Sequence, residues 1–256
     1  MTRLRFLAAV LGVASLAACG DKHGPQTITA PAPGARIKFF NFGVGAPNVN
    51  FYANADKVTG VLSATGQELP VGTASGSAAA GGFYTVLSPG QYTFTGHVAA
   101  VADSNLTIAS VPGMLVDGKA YSVYLSGPYN TAAKSLDSFM IEDAFPAVID
   151  FSATYVRFVN AISNANPLTL YARGADSTDV VVGSAVSYKS ASTFTKLTPG
   201  AYNLFARYTG VSTNAIVRNN VSFAAGRVYT VGARGDITVT STTSASRPQL
   251  DNTANR

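Results

Sequence analysis

Residues Arg36 to Ala53 read RIKFFNFGVGAPNVNFYA, and the same register returns from Tyr155 to Ala172 as YVRFVNAISNANPLTLYA. Asn41 answers to Asn160, Val49 to Leu168 and Tyr52 to Tyr171, each 119 residues later. Self-similarity at such a distance marks a duplicated module, and it outranks any short motif in deciding the fold. Two further stretches keep step. Leu87-Ser88-Pro89-Gly90-Gln91-Tyr92 matches Leu197-Thr198-Pro199-Gly200-Ala201-Tyr202 at an offset of 110, and Gly118 to Val123 matches Gly226 to Val231 at 108. The changing offset confines length differences to the loops between shared strands.

Within each copy the pattern is that of strands. Ile37, Phe39 and Asn41 alternate with Lys38 and Phe40, the period-two signature of a half-buried strand. A Gly/Pro/Asn turn follows over Gly43 to Asn48, after which Val49, Phe51 and Ala53 point one way and Asn50 and Tyr52 the other. Val58 to Leu62 and Glu68 to Thr73 read as short strands, and Ala74 to Gly82 (ASGSAAAGG) as a low-complexity loop. Pro89-Gly90 and Pro199-Gly200 fit the centre of a type II turn, where glycine takes the positive φ. Tyr92 and Tyr202 open the next strand, placed to hydrogen-bond back across that turn. Copy one closes near Ser138 to Ile141 and copy two over Ile237 to Thr242.

Roughly seven short strands per copy, with turn signals between them and no long helical pattern, predict an all-β protein. The expected architecture is two tandem Ig-like or transthyretin-like antiparallel β-sandwich domains, 36–145 and 155–243. A linker at 146–154 joins them, and a polar tail at 244–256 is expected on the surface or disordered.

Composition narrows the function. Charged residues are 12% of the 256, about half the usual soluble share, and the net charge of +5 comes from scattered basic residues. With no basic run and no aromatic interleaving, a nucleic-acid partner is not expected. Trp is absent, which removes the best side chain for stacking on a sugar. Nucleophilic catalysis needs a base held beside a nucleophile. His23 and His97 are the two histidines, and no Gly-x-Ser-x-Gly elbow occurs. His97 sits at the end of the Tyr92 strand, with Tyr208 or a neighbour as its counterpart. Asp103, Asp117, Asp137, Glu142, Asp143 and Asp150 are spread over loops and connections without the Asp-x-Asp-x-Asp spacing of a calcium loop. Gly76 to Gly82 lacks the Lys-Ser/Thr of a phosphate loop. No enzyme activity, cofactor or metal is therefore expected.

The polar residues common to both copies have structural readings. Asn41 and Asn160 each end a strand before a turn that an Asn side chain can fix by bonding the backbone two residues on. Tyr92, Tyr121, Tyr202 and Tyr229 read as core residues with a hydrogen-bonded tip. Tyr52 and Tyr171 face the other way, toward a binding surface or the contact between the two domains; with Phe83 and Phe194 they are the candidate binding surface.

Ahead of the repeats, Arg3 and Arg5 form a positive segment and Leu4 to Ala14 are almost wholly apolar, a run too short to span a bilayer and suited to a signal peptide over 1–18. Cys19 is the only cysteine, so there is neither a disulfide framework nor a thiolate cluster. The run Leu16-Ala17-Ala18-Cys19 resembles the lipobox of bacterial lipoproteins. That resemblance implies cleavage before Cys19, acylation of its sulfur and new amine, and stable membrane anchoring. Gly20 rather than Asp follows, which by the same resemblance implies the outer membrane. The stretch 19–35, with Pro25, Pro31 and Pro33, reads as a tether reaching roughly 20–25 Å, with His23 solvated in it.

The R-[IV]-[KR]-F-x-N-A-like start, the apolar-polar-apolar-Tyr strand, the L-x-P-G-x-Y turn and the G-x-x-Y-[ST]-V strand together resemble the bacterial "domain of unknown function 4397" family. Arg247 to Asn252 is also similar to the end of lipoproteins of that kind. The resemblance implies a tandem, secreted or lipid-anchored envelope protein, and it brings no catalytic residues. The family often has Asp on its second strand, where this chain has Asn50 and Thr169. The expected function is a non-enzymatic structural or protein-interaction role in the cell envelope. The alternative is a carbohydrate- or peptidoglycan-binding module, with a hydrolase a distant third.

Overall fold

Alternating Val, Ile, Thr and aromatic residues favour a pleated, half-buried backbone. The computed structural model describes residues 33–69 and 71–256 and is all-β, without an α-helix among the described residues. The expected signal peptide, Cys19 and the tether up to residue 32 lie outside the described residues.

Copy one comprises β1 (Ala35–Asn41), β2 (Val49–Ala53), β3 (Asp56–Lys57), β4 (Val61–Leu62), β5 (Glu68–Leu69), β6 (Ser77–Ala78), β7 (Thr85–Leu87), β8 (Gly90–Val98), β9 (Thr107–Leu115), β10 (Ala120–Asn130) and β11 (Ser135–Glu142). Copy two comprises β12 (Thr154–Asn160), β13 (Leu168–Arg173), β14 (Asp179–Val186), β15 (Ser190–Ala191), β16 (Thr195–Leu197), β17 (Gly200–Tyr208), β18 (Ile216–Phe223), β19 (Val228–Arg234) and β20 (Gln249–Ala254). Each copy pairs an outer sheet with an inner one. The outer sheets run β3-β2-β8-β9 and β14-β13-β17-β18. The inner sheets run β11-β10-β1-β6, with β7 also on β1, and β15-β12-β19-β20, with β16 also on β12. A small β4-β5 hairpin lies apart from them.

Two sandwich cores result. Ile37, Phe39, Val123 and Leu125 of the first inner sheet pack on Val49, Phe51, Phe94 and Ile108 of its outer sheet. Phe39 stacks on Phe51 at 4.9 Å and meets Phe94 edge-on at 5.9 Å. Val156, Phe158 and Val231 pack likewise on Leu168, Leu170, Leu204 and Ile216 in copy two.

Four expectations need correction. The sheets are not purely antiparallel: β1 runs parallel to β10, with Ile37 opposite Tyr121, and β12 runs parallel to β19, with Val156 opposite Tyr229. A parallel neighbour requires a long crossover, and the intervening outer sheet supplies it. The Ala74–Gly82 segment is not only a loop, since β6 within it pairs with the end of β1. The polar 244–256 stretch is not a surface tail; β20 pairs along the full length of β19 and buries Leu250 in the core. It, rather than Ile237–Thr242, closes copy two.

The fourth correction concerns β1, which is buried on both faces. Lys38 is 1% exposed and Phe40 2%. Residues 33–256 form one compact unit, and a third core lies between the repeats. There Phe40, Phe42, Tyr124 and Phe139 of the first inner sheet meet Val159 and Ala161 of the second. Tyr124 stacks between Phe40 at 4.6 Å and Phe139 at 4.9 Å. At the position in β19 equivalent to Tyr124 stands Gly232, where a Cβ would come within 2.9 Å of the Phe42 ring. The two inner sheets thus lie back to back, giving four layers in the order outer, inner, inner, outer.

Candidate functional site

The polar groups that the sequence presents as outward-facing converge in a seam beside this third core. Lys38 on β1 and Arg157 on β12 occupy equivalent positions, and so do Ser122 on β10 and Thr230 on β19. Asp143 and Asn255 correspond as well: the Asp143 N–H donates to the Ala120 carbonyl at 2.7 Å and the Asn255 N–H to the Val228 carbonyl at 2.7 Å. Each cation reaches the other copy. Lys38 Nζ donates to Asn255 Oδ1, and Arg157 Nη2 donates to Asp143 Oδ1. This reciprocity, in which residue i meets j′ and i′ meets j, is the pattern of a two-fold interface.

Supporting bonds fix the seam. Arg157 Nε donates to Thr230 Oγ1 at 3.0 Å and its Nη1 to the Glu142 carbonyl at 3.1 Å. Asp143 accepts from Ser122 Oγ at 2.8 Å and from the Tyr84 hydroxyl at 2.5 Å. Asn255 Nδ2 donates to Thr230 Oγ1 at 2.8 Å. The Arg157–Asp143 pair is 2% and 0% exposed, so each charge depends on its partner. Among the described residues no carboxylate is bonded to Lys38. Burial pulls its pKa down to about 8, the Asp143 charge opposing the shift and the Arg157 charge adding to it. Burial also raises the Tyr84 hydroxyl, with the Asp143 charge and hydrogen bond acting the same way.

Aromatic lids close the seam. Thr85 stands opposite Ile37 and Thr195 opposite Val156, which makes Tyr84 and Phe194 equivalents. Tyr84 covers Lys38 at 4.5 Å and Phe194 covers Arg157 at 5.1 Å, with Phe145 between them at 6.3 and 5.8 Å. Phe194 is therefore half-buried in the inter-repeat contact, apart from the other binding-surface candidates. Phe83 is 77% exposed.

Tyr52 and Tyr171 lie on the two outer sheets. Tyr52 stacks on His97 at 4.2 Å, and His97 is held by Thr95, Asn105 and Thr107 within 3.2 Å. A shallow cavity of about 330 Å³ borders Tyr52 and Asn105, lined also by Asn50 and Lys57. Asn50 pairs with His97 and Thr169 with Arg207, so the counterpart of His97 is Arg207. Arg207 lies 4.4 Å over Tyr171 and 5.5 Å from Phe205, and Arg173 lies 4.9 Å over Phe205. Asp179 bridges the two arginines, chiefly through Arg173, and its carboxyl is held below its ordinary value. Across this sheet Val181, Tyr171, Phe205 and Val217 stand directly opposite one another in one row. The matching row in copy one, Lys57, Tyr52, Thr95 and Ser110, is polar.

The turn residues divide. Asn160 Oδ1 accepts from the Ile162 N–H at 3.0 Å, two residues on, and its Nδ2 donates to the Val186 carbonyl at 3.2 Å. Asn41 instead donates to the carbonyls of Pro47 at 3.1 Å and Thr73 at 3.0 Å. Tyr92 and Tyr202 donate back to the Ser88 and Thr198 carbonyls at 3.0 and 2.6 Å. The Pro-Gly pairs do not form type II turns. Gly90 has φ +149° and Gly200 is outside the positive region, because each already opens a strand, with Gly90 paired to Leu115 and Gly200 to Phe223. The Pro89 and Pro199 rings precede these strands, and each glycine lies under the tyrosine two residues on.

Among the described residues no cluster of three or more His, Cys, Asp or Glu is placed to hold a metal ion. No curated protein matches the chain. A solved structure, the Bacillus anthracis TIE protein, is similar over 77% of this chain at 12% identity and a TM-score of 0.24. The chain spans 32% of that protein, and a likeness this weak has no bearing on fold or function. A family model described as "Domain of unknown function (DUF4397)" matches residues 35–171 and again 154–255. These matches cover both repeats, and the chain belongs to the DUF4397 family, with two copies of its domain in tandem.

Proposed function

We propose a non-enzymatic, lipid-anchored envelope protein whose fused repeats present the outer sheet of copy two to a protein partner. The carrying observation is the Val181–Tyr171–Phe205–Val217 row with its flanking Arg173 and Arg207. Val181 and Val217 are exposed there, and aromatic residues with arginine are the types concentrated in protein interfaces. The buried ionisable groups support the same reading, since Lys38, Asp143 and Arg157 bind repeat to repeat. A photo-cross-linker at Val217 in living cells is expected to capture a discrete partner, and Tyr171→Ala to abolish capture. Equal capture from Thr95, on the polar row of copy one, would overturn the assignment. The anchor is tested by fatty-acid labelling, which should vanish in Cys19→Ala.

The second reading is carbohydrate or peptidoglycan binding by copy one. It is favoured by Tyr52 stacked on His97 beside the cavity with Asn50 and Asn105. Glycan-array binding lost in a Tyr52→Ala/Tyr171→Ala variant would establish it, and no binding would remove it.

A further inference from the structure

The two halves of the seam are equivalent in position and unlike in chemistry. Where copy two sets Arg157 against a carboxylate, Asp143, copy one sets Lys38 against a carboxamide, Asn255. A guanidinium beside a carboxylate forms a stable ion pair. A buried ammonium bonded to a neutral amide has only the more distant Asp143 charge to offset its own, an arrangement that burial penalises. Lys38 is 1% exposed and Asn255 7%, and the Tyr84 ring closes the Lys38 side. The ammonium donates to the side-chain oxygen of Asn255 across 217 residues of sequence.

We infer that Lys38 and Asn255 condense into an intramolecular amide that joins β1 of the first inner sheet to the end of β20 in the second. The bond that forms is Nζ–Cγ, and the bond that breaks is Cγ–Nδ2. An ammonium and a carboxamide give a secondary amide and an ammonium ion, so atoms and charge balance with no oxidant or co-reactant. Three features of the seam serve the step. The depressed pKa supplies a neutral amine near neutral pH. The Asp143 charge, which acts on Lys38, favours the positive charge that develops on the attacking nitrogen, and the proton this nitrogen sheds departs on the ammonium ion. Thr230 Oγ1 holds the departing Nδ2 at 2.8 Å and so keeps the carboxamide from turning away. The product removes one buried positive charge while Arg157 keeps Asp143 to itself.

Mass spectrometry of the full chain decides it. Denatured wild-type protein is expected to be lighter than its sequence by one ammonia, and a protease digest to yield a branched peptide linking Lys38 to Asn255. Lys38→Arg and Asn255→Ala should each restore the sequence mass, and Asp143→Ala should leave the unlinked form as the main species. Wild-type chain with its full sequence mass and separate Lys38 and Asn255 peptides would overturn the inference. That readout needs no variant to fold.

Discussion

At the scale of single residues, Asp143 carries the most. It neutralises Arg157 at full burial and accepts from Ser122 and Tyr84. Asp143→Ala strands a buried guanidinium, and urea denaturation should show a loss of about 3–5 kcal/mol. Lys38 gives a pH signature in an Asn255→Ala chain, where its amine stays free. Its folded pKa of about 8 lies below its ordinary 10.5, so between these values the unfolded chain binds more protons. Stability should therefore rise from about pH 8 to about pH 10. Above pH 10 it should fall, because burial raises the hydroxyls of Tyr84 and Tyr124 and the folded chain keeps protons that the unfolded chain releases. A stability profile flat from pH 8 to 10 in that variant would contradict the burial of a free Lys38. The seam was legible in part. Lys38 and Arg157 recur in one register, and their neighbours on the same strand face, Phe40 and Val159, are apolar. A cation among apolar residues on a supposedly solvated face signals a covered face. Period-two alternation alone cannot reveal that, because it reports a sheet's own core and not a second layer behind it.

At the scale of elements, the opening strands were readable from the duplication, and β20 was not. Gln249 to Asn255 offers Leu250 as its one large apolar residue, since its other face carries Asp251 to Arg234 and Asn255 to Lys38. A strand that turns polar groups toward a buried polar layer looks in sequence like a solvated tail. Leu250→Ala should cost about 2–5 kcal/mol and release β19 to amide exchange. An unchanged exchange pattern along β19 would mean that β20 is not a fixed part of the sheet. The Pro-Gly turns misled for a related reason. The glycines looked like turn centres, whereas each is the first residue of a strand, and Gly90 takes a φ of +149° there.

At the scale of the molecule, duplication gave an interface as well as a second domain. The faces of the inner sheets that a lone sandwich would expose are the faces the copies bury against each other. The two repeats should therefore unfold as one cooperative unit, although their sandwich cores are separate. Amide hydrogen exchange in a Phe40→Ala chain tests this most directly, because Phe40 belongs to copy one but packs in the shared core. The slowest amides of β8 in copy one and β17 in copy two should lose protection equally, by about 3–5 kcal/mol. A loss confined to β8, with β17 unchanged, would show two independent domains and contradict the shared core.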